Sequence, residues 1–379
     1  MDYPYIVNYL MMLILAFLYW KTPKSKYIKW AFIIQFIFIA FRAPVVGADT
    51  WNYIRYMTGE RNFYNYDPRP LEIGFVLYRD LLLNLKGSRF VYMVINTIII
   101  CFPLYYIFKN YSKNVPLSMA MLSVFQLYAT WFCALRQLIG LSILYCCLLY
   151  VINKTKYKWI IAIIGTALAY TFHTSTILYA SIFFCTYCIH IKNRKIILLI
   201  IILSALIGIV LQSLNILQIF NLILGIQFDA IERIDLYLQN ENLNDISSLS
   251  ISLRLTLISL FIFLFMDKVK LDHWFSKIFL VGVIISNLFI TVPMIHRITM
   301  GMMIFGPVVF TWIFSNAYYT NKKTMKWINI LMIIFFIYFT RSIIINNLNS
   351  TIDPYSSERM HPYYFIWEDY KDHPSIKYF

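Results

Sequence analysis

Residues 192–214 read KNRKIILLIIILSALIGIVLQSL: a cationic start at Lys192, Arg194 and Lys195, then an apolar run from Ile196 softened by Ser204, Ala205 and Gly208 and, near its end, by Gln212 and Ser213. At about 1.5 Å per residue, such a run matches the roughly 30 Å hydrocarbon core of a bilayer. Working outward, runs of the same kind recur at 5–20, 27–41, 90–108, 116–134, 137–152, 159–172, 175–191, 251–266, 275–292, 298–316 and 327–345. The chain of 379 residues is 60% hydrophobic and only 13% charged, whereas soluble domains run nearer half apolar and a quarter charged. The sequence therefore predicts an all-α polytopic membrane protein of about twelve transmembrane helices, forming a single transmembrane domain over 1–379. The first span lacks a positive n-region and a small-residue cleavage site, and is expected to be a retained helix.

Charge sorts with the loops between these spans. Seventeen of the 20 lysines and one arginine fall in short loops on one side; 12 of the 13 arginines and 16 of the 18 acidic residues fall on the other. Lysine-rich short loops mark the cytoplasmic face, so both termini are expected outside, and the basic balance does not imply nucleic acid. The outer side carries loops 42–89 and 215–250 and a tail at 346–379. In the first loop, Leu71, Phe75, Tyr78, Leu82 and Leu85 form one stripe of a short amphipathic helix, with Glu72, Arg79, Asp80 and Asn84 off it. Ile231, Ile234 and Leu238 make a weaker stripe in the second. The six cysteines all lie in apolar runs and are expected to be buried and structural.

Ionisable groups at helix ends in an apolar bundle are functional candidates, against the alternative of snorkelling to headgroups. Residues 116–152 and 159–191 each leave and return with almost no outer loop, which puts Arg136 and His173 in tight turns near the membrane surface; the next outer turn holds His296 and Arg297. Arginine is the better fork for phosphate and carboxylate. His173, neutral at ambient pH, is a candidate proton acceptor. Asp49 and Glu72 are the candidate general bases among the acids, and Trp51, Tyr53, Tyr56, Tyr64 and Tyr66 offer flat faces for sugar rings. Phosphate-binding glycine loops, G-x-S-x-G, H-E-x-x-H and paired acidic motifs are absent from the sequence.

These residues form an ordered series: Arg42 with Gly47-x-Asp49-x-x-x-Tyr53, Glu72-x-Gly74-Phe75, Arg136-Gln137, Phe172-His173-x-Ser175, Arg297, and Pro362-Tyr363. The series resembles the EpsG-type, Wzy-like polymerases of bacterial surface polysaccharides. The resemblance implies a GT-C-like glycosyltransferase in the bacterial inner membrane, with its site facing the periplasm or cell exterior. It implies an undecaprenyl-pyrophosphate-linked glycan as donor and another as acceptor, a chain-length regulator as partner, and no nucleotide, metal or other cofactor. On this reading Arg136 and Arg297 stabilise the leaving pyrophosphate, and His173, Asp49 or Glu72 deprotonates the acceptor. Arg42, Tyr53, Gln137, His296 and Tyr363 bind substrate. An O-antigen ligase, a repeat-unit flippase and an outer-facing acyltransferase are the rival readings.

Overall fold

The computed structural model describes residues 3–47, 49–60, 71–125, 127–153, 156–191, 193–213, 245–290, 295–317, 337, 340–341 and 363–369. The weaker stripe at 231–238, most of the last span and Tyr64 and Tyr66 lie outside them. The described chain is mostly helical, in the order α1 (Tyr3–Lys21), α2 (Ser25–Ala40), α3 (Thr50–Met57), α4 (Ile73–Asn84), α5 (Arg89–Tyr111), α6 (Val115–Val124), α7 (Leu127–Cys133) and α8 (Leu135–Asn153). There follow α9 (Lys158–Tyr170), α10 (Thr176–Cys188), α11 (Arg194–Ser213), α12 (Asp245–Phe265), α13 (Lys268–Leu271), α14 (Trp274–Leu288), α15 (Ile295–Met303) and α16 (Phe305–Ala317).

By length and composition α1, α5, α8 and the segment Arg194–Leu211 are able to cross a membrane, and six further apolar helices are shorter. Two expected spans are each divided. Residues 116–134 become α6 and α7, and 298–316 become α15 and α16 with a break at Ile304. Pro307 accounts for the second break, because it has no N–H to offer the Met303 carbonyl one turn back.

Two compact units are present: Met1–Phe183 with Ala317–Phe379, and Phe184–Asn316. In the first, polar groups tie apolar helices together. The Asn114 side chain caps α6 by accepting from the Leu117 N–H (3.1 Å) and donates to the Ala16 carbonyl of α1 (3.0 Å). Tyr128 accepts from Asn8 (3.1 Å) and donates to Gln35 (2.8 Å). Away from water such bonds have no competitor, so they fix which helices meet. In the second unit a comparable thread runs Thr256 to Asn287 (3.0 Å) and Asn287 to Ser204 (3.1 Å), joining α12, α14 and α11.

Outward faces are apolar too. On α9, Ile160, Ile163, Ile164 and Leu168 are all more than half exposed, the surface expected of a helix facing lipid. The cysteine expectation needs correcting on this account. Cys133 and Cys147 are buried, but Cys146, Cys185 and Cys188 are exposed, because an apolar run in a membrane protein has a lipid side as well as a core side.

The amphipathic helix of the first loop is present as α4. Phe75 and Leu82 are buried, and Tyr78 donates to Asn96 of α5 (2.6 Å). Leu85 departs from the expected stripe. It follows the helix end and is 58% exposed, level with Ile73, Leu77 and Leu81 on the opposite face. The helix is thus apolar on two sides and packs on the bundle with one of them.

Candidate functional site

Four segments of the first unit meet around Arg136: the start of α3, the N-terminus of α4, the first turn of α8, and the turn between α9 and α10. Arg136 is the second residue of α8. Its Nη1 donates to Glu72 Oε2 (2.7 Å) and its Nε to the Tyr53 hydroxyl (3.1 Å). The Arg136 and Glu72 side chains are 17% and 15% exposed, so the pair is largely withdrawn from water yet reachable. The guanidinium also lies 5.8 Å from the Tyr53 ring centre and 6.0 Å from that of Phe75, within range of a weak cation–π attraction.

Gly74 explains how Glu72 arrives there. Its N–H donates to the Thr171 carbonyl (2.8 Å), and a Cβ at this position would collide with Thr171 backbone and side chain. Only glycine lets α4 begin against the α9–α10 turn, where Glu72 Oε1 faces the Thr174 N–H (3.4 Å). Phe75 is fully buried, edge-on to Tyr53 and stacked on Tyr56. The spacing Glu-x-Gly-Phe thus serves ligand, close approach and anchor in turn.

The next residue along α8, Gln137, is buried and reaches the same turn from the other side. Its amide nitrogen donates to Ser175 Oγ (3.1 Å) and to the Tyr179 hydroxyl (2.9 Å). Ser175 Oγ lies 2.7 Å from His173 Nδ1, and the Ser175 N–H also donates to that nitrogen (3.2 Å). Thr174 and Tyr179 are not among the expected site residues, and Ser175 enters the sequence reading only as the last position of Phe172-His173-x-Ser175, with no role assigned to it.

Arg42 occupies a different socket. It is 6% exposed, and its nitrogens donate to the Ile39 carbonyl (2.6 Å), the Val46 carbonyl (3.4 Å) and Thr50 Oγ1 (3.4 Å), with Phe132 stacked beneath at 4.2 Å. Burial pulls its pKa down to about 10, opposed by Tyr363 and Tyr5; it remains charged at neutral pH. Thr50 in turn donates to the Phe132 carbonyl, and Gly47, at φ +102°, brings its loop so close to Phe132 that a Cβ would collide. A cavity of about 20 Å³ beside Arg42, lined by Thr50, Asn96, Thr97 and Trp131, has room for about one water.

Tyr363 closes this socket. Buried and stacked on Phe38, it donates to the Phe38 carbonyl (2.5 Å). Backbone bonds Ala43 to Tyr364 and Ile366 to Phe41 (2.8 Å each) lay the 363–366 segment along the end of α2. The acceptors of Arg42 are two backbone carbonyls within four residues and Thr50, and that of Tyr363 is the Phe38 carbonyl.

Asp49 precedes α3, and its carbonyl accepts from the Tyr53 N–H (3.1 Å). Trp51 is buried beside Arg89 (4.9 Å) and Tyr56 beneath Arg79 (4.7 Å), so these aromatic faces serve the packing of the loop. Arg297 is the third residue of α15 in the second unit, half-buried. The His296 side chain lies outside the described residues.

A family model described as the EpsG family matches residues 25–357. The chain belongs to the EpsG family. No curated protein and no solved structure matches it. Membership in EpsG suggests a Wzy-like polymerase of surface polysaccharide, and with the apolar helices it suggests a multi-pass membrane protein. In this EpsG-family chain the matched span takes in the whole Arg136 network, from Tyr53 to Tyr179.

Proposed function

We propose that this protein joins undecaprenyl-pyrophosphate-linked oligosaccharide repeat units at the outer face of the bacterial inner membrane, with a fold of the GT-C kind and about twelve spans. The observation that carries the reading is Arg136, a largely buried guanidinium held by one carboxylate and one phenol in an EpsG-family chain. An anionic donor phosphate can take the place of Glu72 on this fork, since charge-assisted arginine–phosphate bonds are strong and two-pronged.

In the proposed reaction the acceptor hydroxyl oxygen attacks the anomeric carbon of the donor. The bond to the pyrophosphate oxygen breaks, and undecaprenyl pyrophosphate leaves with the bonding pair. Arg136 stabilises the charge as it develops, and Arg297 is proposed as a further phosphate ligand on sequence grounds. Displaced from Arg136, the Glu72 carboxylate is released to take the hydroxyl proton; Asp49 and His173 are the alternatives. The absence of an intervening protein nucleophile in this scheme means inversion at the anomeric carbon. A chain-length regulator is the expected partner.

The test is a glycan ladder from a deletion strain complemented with wild type or Arg136→Ala. Collapse of long chains to a single capped repeat, unrescued by a normally expressed Arg136→Ala, supports the polymerase. Long lipid-linked chains left unattached would identify a ligase, and repeats trapped inside a flippase.

A further inference from the structure

The α9–α10 turn fixes which nitrogen of His173 carries hydrogen. A ring nitrogen has either one lone pair or one hydrogen to present. The Ser175 backbone N–H, whose hydrogen cannot be moved, points at Nδ1 from 3.2 Å. A hydrogen on Nδ1 would meet that N–H head on, so Nδ1 presents its lone pair. The side chains agree. Gln137 donates to both Ser175 Oγ and the Tyr179 hydroxyl, leaving the Ser175 hydroxyl hydrogen for Nδ1 at 2.7 Å. Turning the Gln137 amide over would reverse that wire, but it would leave the backbone N–H where it is.

We propose that Gln137 and Ser175 are positioning residues that hold His173 in the neutral tautomer protonated at Nε2, so that the imidazole meets an anionic phosphate of the substrate as a hydrogen-bond donor and does not serve as the general base. The identity of that phosphate as the lipid-linked donor's rests on the polymerase reading; the tautomer does not. No proton leaves the ring in this role. The turn that holds it also supplies the Thr174 N–H facing Glu72 (3.4 Å), and Glu72 binds Arg136 at 2.7 Å. The turn that carries His173 thus also brings a backbone N–H to the carboxylate held by Arg136, and backbone donors of this kind suit an anion. With His173 committed to donation, the acceptor proton falls to a carboxylate.

The test is ¹⁵N-histidine NMR of the full-length protein in lipid nanodiscs at neutral pH. The His173 resonances are assigned as the pair lost in His173→Gln among the six histidines. The expected result is a proton-bearing shift for Nε2 and a lone-pair shift for Nδ1. A hydrogen on Nδ1, an averaged pair or a doubly protonated ring would each overturn the proposal, whatever the glycan assay shows. In a purified polymerisation assay, Ser175→Ala should lower kcat with KM little changed and Ser175→Thr should restore it. A wild-type spectrum as expected alongside a ladder diagnostic of a ligase would keep the tautomer and discard the polymerase.

Discussion

Arg42 and Arg136 look alike in the sequence, each an arginine flanking an apolar run on the same face, and the structure separates them by what they hold. Arg42 spends its donors on carbonyls three and four residues away and on a threonine that is itself tied to Phe132. None of those acceptors can leave without unmaking the loop. Arg136 instead holds a carboxylate from 64 residues away and a phenol from 83 residues away. A side-chain carboxylate is a partner that a substrate anion can replace. Burial alone does not mark a functional arginine; the exchangeability of its partner does.

The comparison breaks most directly at Arg136. Arg136→Ala should cut polymerisation by about 1000-fold, the scale seen when an oxyanion donor is removed, with membrane expression close to wild type. Arg136→Lys should fail nearly as badly, because a single ammonium does not bridge a carboxylate and a phenol with the same fork geometry. Activity retained in both would remove the proposed phosphate ligand.

At Arg42 the opposite pattern is expected. Arg42→Ala leaves buried carbonyls without donors, at about 1–3 kcal/mol for each group left unsatisfied. Thermal melting in detergent should therefore drop, with yield falling beside it. The protein that does fold should keep its specific activity within about threefold, a difference of under 1 kcal/mol in barrier. If specific activity collapses while melting is unchanged, Arg42 belongs with the substrate after all.

Gly74→Ala sharpens the contrast by moving Glu72 without touching it. The added Cβ collides with Thr171 backbone, so α4 must shift where it meets the turn. A displacement of about 1 Å is enough for a loss on the order of 100-fold in kcat, while melting should fall less than in Arg42→Ala. An unaffected rate would mean that the docking of α4 on the turn does not govern the site.

Much of this was legible in the sequence, and the failures have physical causes. Apolar runs reveal helices because bilayer thickness sets the length of such a run along the chain. The ordered motifs contain Tyr53, Glu72, Arg136, Gln137, His173 and Ser175, which the structure joins with the help of Thr174. The partner of each donor was not legible. Whether Gln137 faces substrate or Ser175 depends on the packing of α8 against α10, and no spacing in the sequence encodes it. Likewise the exposure of Cys146 beside the buried Cys147 is a matter of helix rotation, which a uniformly apolar run leaves open.

A histidine in the second unit extends the rule to groups that titrate. His273, the N-cap of α14, repeats a bond of His173: its Nδ1 accepts from the N–H two residues on, that of Phe275, at 3.2 Å. Its surroundings differ, with Phe275 and Trp312 edge-on to the ring. Burial, with Lys270 and Lys277 nearby, pushes its pKa down to about 4. The unfolded chain, with a histidine near 6.5, binds more protons between those values, so the stabilisation is complete above about pH 6.5 and is lost as pH falls toward 4. A partly accessible ring should show about 2 kcal/mol of this, the smallest effect of the four. His273→Asn retains a capping acceptor but cannot titrate, so it should flatten the acid side of the melting profile and leave polymerisation untouched. An unchanged acid slope would place the sensitivity elsewhere, and lost activity would tie the His273 cap to the chemistry.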